Sequence, residues 1–263
     1  MLLSEPVLDL NAAQIHLWCV EFSASPCNSL LDRYRGVLSP QELQNESRFH
    51  FAKDRLRYLL TRALTRTVLS RYTALAPERL SFTYNAFGKP TLSPDVAGSG
   101  QLSFNISHTQ SLIVLAVTHG GVLGVDVENI GSRNAPWEIA DCCLSAEETS
   151  DVHALPPGIR NKRFFQHWTL KESYIKARGM GLSIPLDHFG FVFASDSVTL
   201  KIYQQLNDAA SNWKFWQCLL FNDYLLAVCA ERRPAFEQQL IFRKILPFVG
   251  EEAMDYQLIC RSL

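Results

Sequence analysis

Four charged side chains in this 263-residue chain have the types and spacing that phosphate or metal chemistry requires. Asp126 and Glu128 alternate with valines in the segment Gly-Val-Asp-Val-Glu at 124–128, and Glu172 lies four residues before Lys176. Alternate residues of a strand share a face, so Asp126 and Glu128 would stand side by side. Two close carboxylates stay ionised when a cation neutralises them, and such hard oxygen ligands suit magnesium or manganese. The pattern predicts a divalent-metal site formed by Asp126, Glu128 and Glu172.

A strand must position the two acids. The run 122–130 is rich in β-branched residues, and His-Gly-Gly at 119–121 separates it from a similar run at 112–118. Two such runs with a short glycine loop between them predict a β-hairpin. Val125 and Val127 would then face the core, on the side of the strand opposite the acids.

The helix that carries the Glu-x-x-x-Lys pair has a counterpart earlier in the chain. Leu-Ser-Pro-Gln-Glu at 38–42 is a capping box, which predicts a helix start, and it is matched by Leu-Ser-Ala-Glu-Glu at 144–148. Each motif precedes a basic and aromatic helix, predicted at about 50–72 and 161–178. Glutamate and lysine at i,i+4 share one face of the second helix.

The coarse fold class is α+β, because strands and helices follow one another in both parts of the chain. Apolar runs after the second helix are predicted to form an antiparallel sheet, at 189–193, 198–203, 214–221 and 224–230. Two similar α+β halves would leave a cleft at their join, where ligand sites are favoured. Asp126 and Glu128 lie near that join.

Composition indicates an ordinary soluble protein. A hydrophobic content of 47% supports a large core, and a net charge of −1 gives no overall field that would attract nucleic acid. The seven cysteines are scattered and lack C-x-x-C spacing, which argues against disulfides and zinc. No signal-peptide pattern or membrane-spanning run is present in the sequence. We expect a cytoplasmic protein without a membrane or nucleic-acid partner.

Five short motifs stand in an order that resembles the 4′-phosphopantetheinyl transferase superfamily, in its longer, surfactin-type (Sfp-like) branch. They are Gly-Lys-Pro at 88–90, Asn-Ile-Ser-His at 105–108, Gly-Val-Asp-Val-Glu at 124–128, Trp-x-x-Lys-Glu-Ser-x-x-Lys at 168–176 and Gly-Met-Gly-Leu at 179–182. The resemblance spans roughly residues 39–230. It implies two α+β halves with pseudo-twofold symmetry and coenzyme A bound between them.

The resemblance also implies an activity. Members of this family transfer the 4′-phosphopantetheine arm of coenzyme A to a serine of an acyl or peptidyl carrier protein and release adenosine 3′,5′-bisphosphate. Attack on a pyrophosphate requires neutralised phosphate oxygens and a positioned base. Asp126, Glu128 and Glu172 would hold the metal, Glu172 would also take the serine proton, and Lys176 would hold or protonate the departing phosphate.

The same resemblance places the coenzyme A nucleotide against residues of the first half. The residues concerned are Arg48, Arg57, Gly88, Lys89, Pro90, Ser107 and His108. Arg57 matches a position that contacts the 3′-phosphate, which suits a bidentate guanidinium. Glu42 and Asn45 replace lysines of the surfactin-type branch, and Arg48 or another arginine of the cluster that follows it would compensate for them.

We therefore expect a monomer with a nucleotide-binding half at 1–120, a half with the metal site and catalytic helix at 121–231, and an extension at 232–263. Basic residues of the first half, together with Arg160, Lys162 and Arg163, would dock an acidic carrier protein. Two alternatives stay open. One is a non-catalytic coenzyme A-binding module of the same fold, and the other is a nucleic-acid binder that uses the arginine-rich helix, which the net charge disfavours.

Overall fold

The computed structural model describes residues 8–22, 26–96, 101–138, 140–203 and 206–262. Its helices are α1 (Asn28–Arg35), α2 (Pro40–Ser47), α3 (Ala52–Thr73), α4 (Ala140–Cys143), α5 (Ala146–Ala154) and α6 (Pro157–Arg178). The strands of the first half are β1 (Gln14–Glu21), β2 (Phe82–Tyr84), β3 (Pro90–Leu92), β4 (Leu102–His108) and β5 (Leu112–His119). The remaining strands are β6 (Leu123–Asn129), β7 (Phe189–Ala194), β8 (Ser197–Ile202), β9 (Trp213–Leu220), β10 (Tyr224–Glu231), β11 (Gln239–Leu246), β12 (Gly250–Ala253) and β13 (Gln257–Arg261).

The predicted α+β class with two sheet-rich halves is confirmed. One sheet has the strand order β12-β11-β1-β5-β4, and the other has the order β6-β10-β9-β13-β8-β7. Strands β2 and β3 form a separate ribbon. None of the helices within the described ranges has both the length and the apolar character needed to span a membrane.

The halves stack as four layers, which explains why both faces of the central strands are apolar. Trp18 and Leu115 of the first sheet share a cluster with Leu60 of α3. The opposite face of that sheet meets the second sheet, where Leu17 shares a cluster with Val228. The other face of the second sheet packs against α6. Strand β5 is therefore buried on both faces, and so carries an unbroken apolar run.

The predicted hairpin at 112–130 is wrong. Strand β5 pairs with β1 and β4 in the first sheet, whereas β6 pairs with β10 in the second. Gly120 and Gly121, with φ of 69° and 70°, occupy the left-handed region that favours glycine. The link between the runs thus carries the chain from one sheet to the other.

Both capping boxes are present, and each helps to bury an ion pair. The side chains of Ser39 and Ser145 accept from the third residue of α2 and α5, and the glutamates there reach back to the cap. Glu42 also accepts from Arg66 of α3 at 2.7 Å. In the second half Glu148 accepts from Lys171 of α6 at 2.7 Å. The repeat seen in the sequence is therefore structural: in each half a capped short helix, α2 or α5, is joined by a buried ion pair to the long helix that follows it, α3 or α6. We call this arrangement a helix corner.

Residues beyond 232 complete both sheets. Strand β11 runs parallel to β1 and carries β12 on its outer edge, while β13 lies between β9 and β8. The guanidinium of Arg71 on α3 forms an ion pair with Glu251 of β12. The segment expected to be an extension thus contributes strands to each half.

The corner between α5 and α6 holds a charged cluster that makes stability depend on pH. His167 is buried, with Nε2 2.9 Å from Asp151 and Nδ1 3.3 Å from Glu148. Burial alone lowers the pKa of His167, but the hydrogen bonds and charges of Asp151 and Glu148 outweigh it and raise that pKa above 6.5. The folded state therefore binds the imidazole proton more tightly than the unfolded state does.

We predict that the free energy of unfolding lost in His167→Gln is largest below about pH 6.5 and shrinks as pH rises through the folded-state pKa. The sign follows because the stabilisation from a raised pKa is complete below the pKa of the unfolded histidine and is lost as pH rises through the pKa of the folded one. Urea unfolding of the wild type and of His167→Gln between about pH 5.5 and about pH 8.5 measures this difference. Each unit by which the folded-state pKa of His167 exceeds the unfolded one corresponds to about 1.4 kcal/mol of stability. A difference that grows with pH would contradict it.

Close packing of α6 on β6 predicts a second effect on stability. A Cβ atom at Gly124 would lie 2.0 Å from the Ser173 carbonyl oxygen and 2.3 Å from the Ala177 nitrogen. Both are main-chain atoms of α6, so the helix would have to move. We expect Gly124→Ala to lower the free energy of unfolding by about 3 kcal/mol. The matched control is Gly158→Ala, because a Cβ atom at Gly158 would meet nothing within 4 Å. Urea unfolding of this variant should give a free energy of unfolding equal to or higher than that of the wild type.

Candidate active site

The two acids occupy the strand face that the alternation predicted. Val125 and Val127 lie in the core between the sheets, and this part of the prediction is confirmed. Asp126 and Glu128 are only 6% and 9% exposed. Their strand, β6, is an edge of the second sheet at the join between the halves.

Lys176 reaches back from α6 to the first of these acids. Its Nζ donates to Asp126 Oδ1 at 2.7 Å and to Ser107 Oγ at 2.9 Å, and Ser107 Oγ donates to Asp126 Oδ1 at 3.0 Å. Three predicted site residues from β4, β6 and α6 therefore meet at one point. The other carboxylate oxygen of Asp126, Oδ2, is buried and has no hydrogen-bond partner within the described part of the chain.

Side chains of β4 also bind the backbone of β6. Asn105 Oδ1 accepts from the Val125 N–H at 2.9 Å, and Ser107 Oγ accepts from the Val127 N–H at 3.2 Å. Side chains of two alternate residues of β4 thus accept hydrogen bonds from the backbone N–H groups of two alternate residues at the edge of β6. The role of Asn105 was not predicted, although its i,i+2 spacing from Ser107 in a strand would have placed both on one face.

Glu128 has a cationic partner that the sequence analysis missed. The Arg133 guanidinium forms an ion pair with its carboxylate. Burial, and then the charge of Asp126, raise the pKa of Glu128 despite this arginine. Arg133 follows β6 after a turn in which Asn129 Oδ1 accepts two backbone N–H groups, and nothing in the sequence distinguishes it from other loop arginines.

Glu172 faces the same acids from α6. Burial, followed by the charge of Asp126, raises its pKa to about 7, and the Lys176 charge only partly opposes this. An ionised carboxylate here is therefore unfavourable until more positive charge is supplied. The hard oxygen donors of these acids, together with the unpartnered Asp126 Oδ2, fit a divalent cation in chemical type.

The three acids are not arranged as a preformed metal-binding site. Among the residues with described positions, no three His, Cys, Asp or Glu side chains are grouped closely enough to hold an ion. Lys176 and Arg133 bind Asp126 and Glu128 instead, and these two cations partly neutralise the carboxylates. Binding a divalent cation would require the side chains to turn toward it.

The Gly-Lys-Pro turn lies against the end of α6. Lys89 Nζ donates to the carbonyl oxygens of Lys176, Ala177 and Leu123, at 2.7, 2.9 and 3.0 Å. Burial lowers the pKa of Lys89 to about 8. Its flanking residues, Gly88 and Pro90, place the turn at the start of β3.

Of the other predicted nucleotide-binding residues, His108 lies where the charges of both Arg57 and Lys176 act on it. The His108 ring is exposed, but crowding by the surrounding chain, and then the charges of Arg57 and Lys176, lower its pKa. Arg57 also donates to Asp54 at 2.9 Å. The positive groups of both halves therefore face a common region.

Arg48 lies at a small surface recess. It lines a volume of about 320 Å³ together with Asn45, Phe49 and Tyr58. Glu42, which replaces a lysine of the surfactin-type pattern, is turned inward to the buried Arg66. Its position thus builds the helix corner and presents no charge to a ligand.

Comparison with known proteins gives two family matches and several relatives. Residues 122–229 match the 4′-phosphopantetheinyl transferase superfamily, and residues 24–120 match the family described as 4′-phosphopantetheinyl transferase, N-terminal. The chain is 33% identical to 4′-phosphopantetheinyl transferase HetI of Nostoc sp. over 178 residues, which cover 68% of this chain and 74% of HetI. It is 31% identical to 4′-phosphopantetheinyl transferase Sfp of Bacillus subtilis over 209 residues, which cover 80% of this chain and 88% of Sfp. The chain therefore belongs to the 4′-phosphopantetheinyl transferase superfamily.

Proposed function

We propose that this protein transfers the 4′-phosphopantetheine arm of coenzyme A to a serine hydroxyl of an acyl or peptidyl carrier protein. The reaction depends on magnesium and releases adenosine 3′,5′-bisphosphate. The observation that carries the proposal is the contact of Lys176 with Asp126 and Ser107, which brings together both halves of the chain beside Glu128 and Glu172. Membership of the superfamily supports the reaction class.

The buried acids explain how the site handles the charge of a pyrophosphate. Asp126, Glu128 and Glu172 would hold magnesium or manganese, which would neutralise the phosphate oxygens. Glu172 is the candidate general base for the serine hydroxyl. It is partly buried, faces the same region as the acid pair, and as a carboxylate needs only to be positioned within reach of that proton.

Lys176 is the candidate that meets the leaving phosphate. Its ammonium donates to Asp126 and Ser107. A phosphate oxygen that replaces one of these partners would receive a charge-assisted hydrogen bond as negative charge develops on it. The side chain of Lys176 is 27% exposed, so part of it is open to a ligand.

The nucleotide would lie against the first half. Arg57, whose charge acts on His108, is the candidate for the 3′-phosphate, and Arg48 at the surface recess is a candidate for the same group. His108 is a candidate for a phosphate of the nucleotide. A chain that supplies both halves of the cleft favours a monomer. The location we propose is the cytoplasm, where free cysteines such as the exposed Cys27 and Cys142 stay reduced.

We predict that the wild-type protein, coenzyme A and magnesium increase the mass of an apo carrier protein by one phosphopantetheine group. Glu172→Gln should slow this transfer by about 10²- to 10⁴-fold, because it removes the proton acceptor and a metal ligand. Chelation of divalent cations should abolish transfer, and added magnesium should restore it. Intact-mass spectrometry of the carrier over time is the measurement.

The matched control is Glu78→Gln, which changes an exposed glutamate of the first half and should leave the rate unchanged. Absence of transfer with acyl and peptidyl carriers, while calorimetry still detects coenzyme A binding, would favour the non-catalytic binding module. Equal rates for the wild type and Glu172→Gln would remove Glu172 from the mechanism.

Carrier docking gives a separate prediction. Arg160 is occupied in the fold, since it donates to the carbonyls of Leu155 and His153, whereas Lys162 is exposed on α6. We expect Lys162→Glu to raise KM for an acidic carrier by about two- to fivefold at low salt, with a smaller effect at high salt. Lys201→Glu on β8 is the control. An unchanged KM for Lys162→Glu at both salt concentrations would exclude this residue from the docking surface.

A further inference from the structure

The turn between β2 and β3 caps the C-terminal end of α6 from the other half of the molecule. Asn85 Nδ2 donates to the Gly179 carbonyl at 2.7 Å, while Lys89 Nζ donates to the carbonyls of Lys176 and Ala177 at 2.7 and 2.9 Å. The last carbonyls of a helix have no partner within the helix itself. Here the first half supplies those partners, including a positive charge where the helix dipole is negative.

The same ammonium also ties the helix to the strand that carries the acids. Its third hydrogen bond, at 3.0 Å, goes to the carbonyl of Leu123, the first residue of β6. An ammonium has three N–H donors, so all of them are used on main-chain carbonyls. Burial, which lowers the pKa of Lys89 to about 8, is consistent with a group enclosed by protein rather than held ready for a solvated anion.

The turn is built to aim Lys89. Asn85 Oδ1 accepts from the N–H groups of Phe87 and Lys89, both at 2.9 Å, and the Asn85 N–H donates to the Lys89 carbonyl at 3.1 Å. The contact with the helix end is close, because a Cβ at Gly179 would lie 3.0 Å from Lys89 Cδ and 3.2 Å from Asn85 Nδ2. The geometry leaves little freedom for α6 to slide along β6.

Lys176 is consequently held through both its main chain and its side chain. Its carbonyl accepts from Lys89, and its side chain donates to Asp126 and Ser107. We infer that Lys89 and Asn85 are positioning residues that fix the last turn of α6, and with it Lys176, against β6. This inference rests on the proposed function and gives the Lys89 ammonium a different role from the nucleotide contact that the resemblance implied.

The test is Lys89→Met, which keeps an unbranched apolar side chain but removes the charge and all three donors. We expect kcat for carrier modification to fall at least about tenfold, because a small displacement of a reacting group is costly. The Kd for coenzyme A should stay within about threefold, with one binding site per chain, so the loss cannot reflect a smaller folded fraction. Amide hydrogen exchange at 176–180 should become faster.

Two further variants keep the test decisive. Lys201→Met, which removes an exposed lysine on β8, should change neither kcat nor the exchange at 176–180. Asn85→Ala removes the bond to Gly179 and should also speed exchange there, which provides the readout if Lys89→Met does not fold.

Two results would overturn the inference. One is a Kd for coenzyme A that rises as much as kcat falls, which would make Lys89 a nucleotide ligand. The other is unchanged exchange at 176–180 in both variants. Should the wild type transfer nothing to any carrier, the proposed function fails, but the exchange measurement still decides whether Lys89 and Asn85 hold the end of α6.

Discussion

Two strand edges meet at the join between the halves, and polar side chains connect them in place of a backbone ladder. Asn105 and Ser107 of β4 accept the N–H groups of Val125 and Val127, so β6 is held along an edge that would otherwise carry unpaired donors. A direct backbone pairing would have merged the two sheets and left no room for functional side chains. The side-chain link instead lets Asp126 sit between a hydroxyl and an ammonium, within a mostly buried setting.

The two helix corners use the same device for different chemistry. A capping-box glutamate accepts from a buried cation in each half, Arg66 in the first and Lys171 in the second. A buried ion pair gains little net stability, because desolvation offsets its Coulomb attraction, but it is costly to break. Such a pair therefore fixes how the corner packs. The second corner adds a histidine, His167, and its raised pKa makes the stability of that corner depend on pH.

Local patterns in the sequence predicted the parts of the site that depend on local geometry. Alternation placed Asp126 and Glu128 opposite two core valines, and i,i+4 spacing placed Glu172 and Lys176 on a face of α6 that looks toward them. These relations hold within one strand or one helix, so a single sequence specifies them.

Relations between distant segments were not predictable in the same way. The supposed hairpin failed because apolar runs show that strands exist but do not identify their partners, and β6 pairs with β10 about a hundred residues later. Arg133 and the three carbonyl contacts of Lys89 depend on how separate elements stack. The need for glycine at position 124 of β6 is likewise visible only in the folded structure, because it comes from the close packing of α6 against that residue.

The strands beyond residue 232 set the order in which the molecule can be assembled. β1, close to the start of the chain, lies between β5 and β11, and β13 is inserted between β9 and β8. During synthesis the first half must therefore wait for residues 239–246, and the second sheet has all its strands only once residue 261 has emerged. Long-range pairing of this kind slows folding, since loop closure precedes the gain from contacts. Both sheets are consequently completed late, although each half has its own core. Until residues 239–246 have been synthesised, the edge of β1 that pairs with β11 is left without its partner strand.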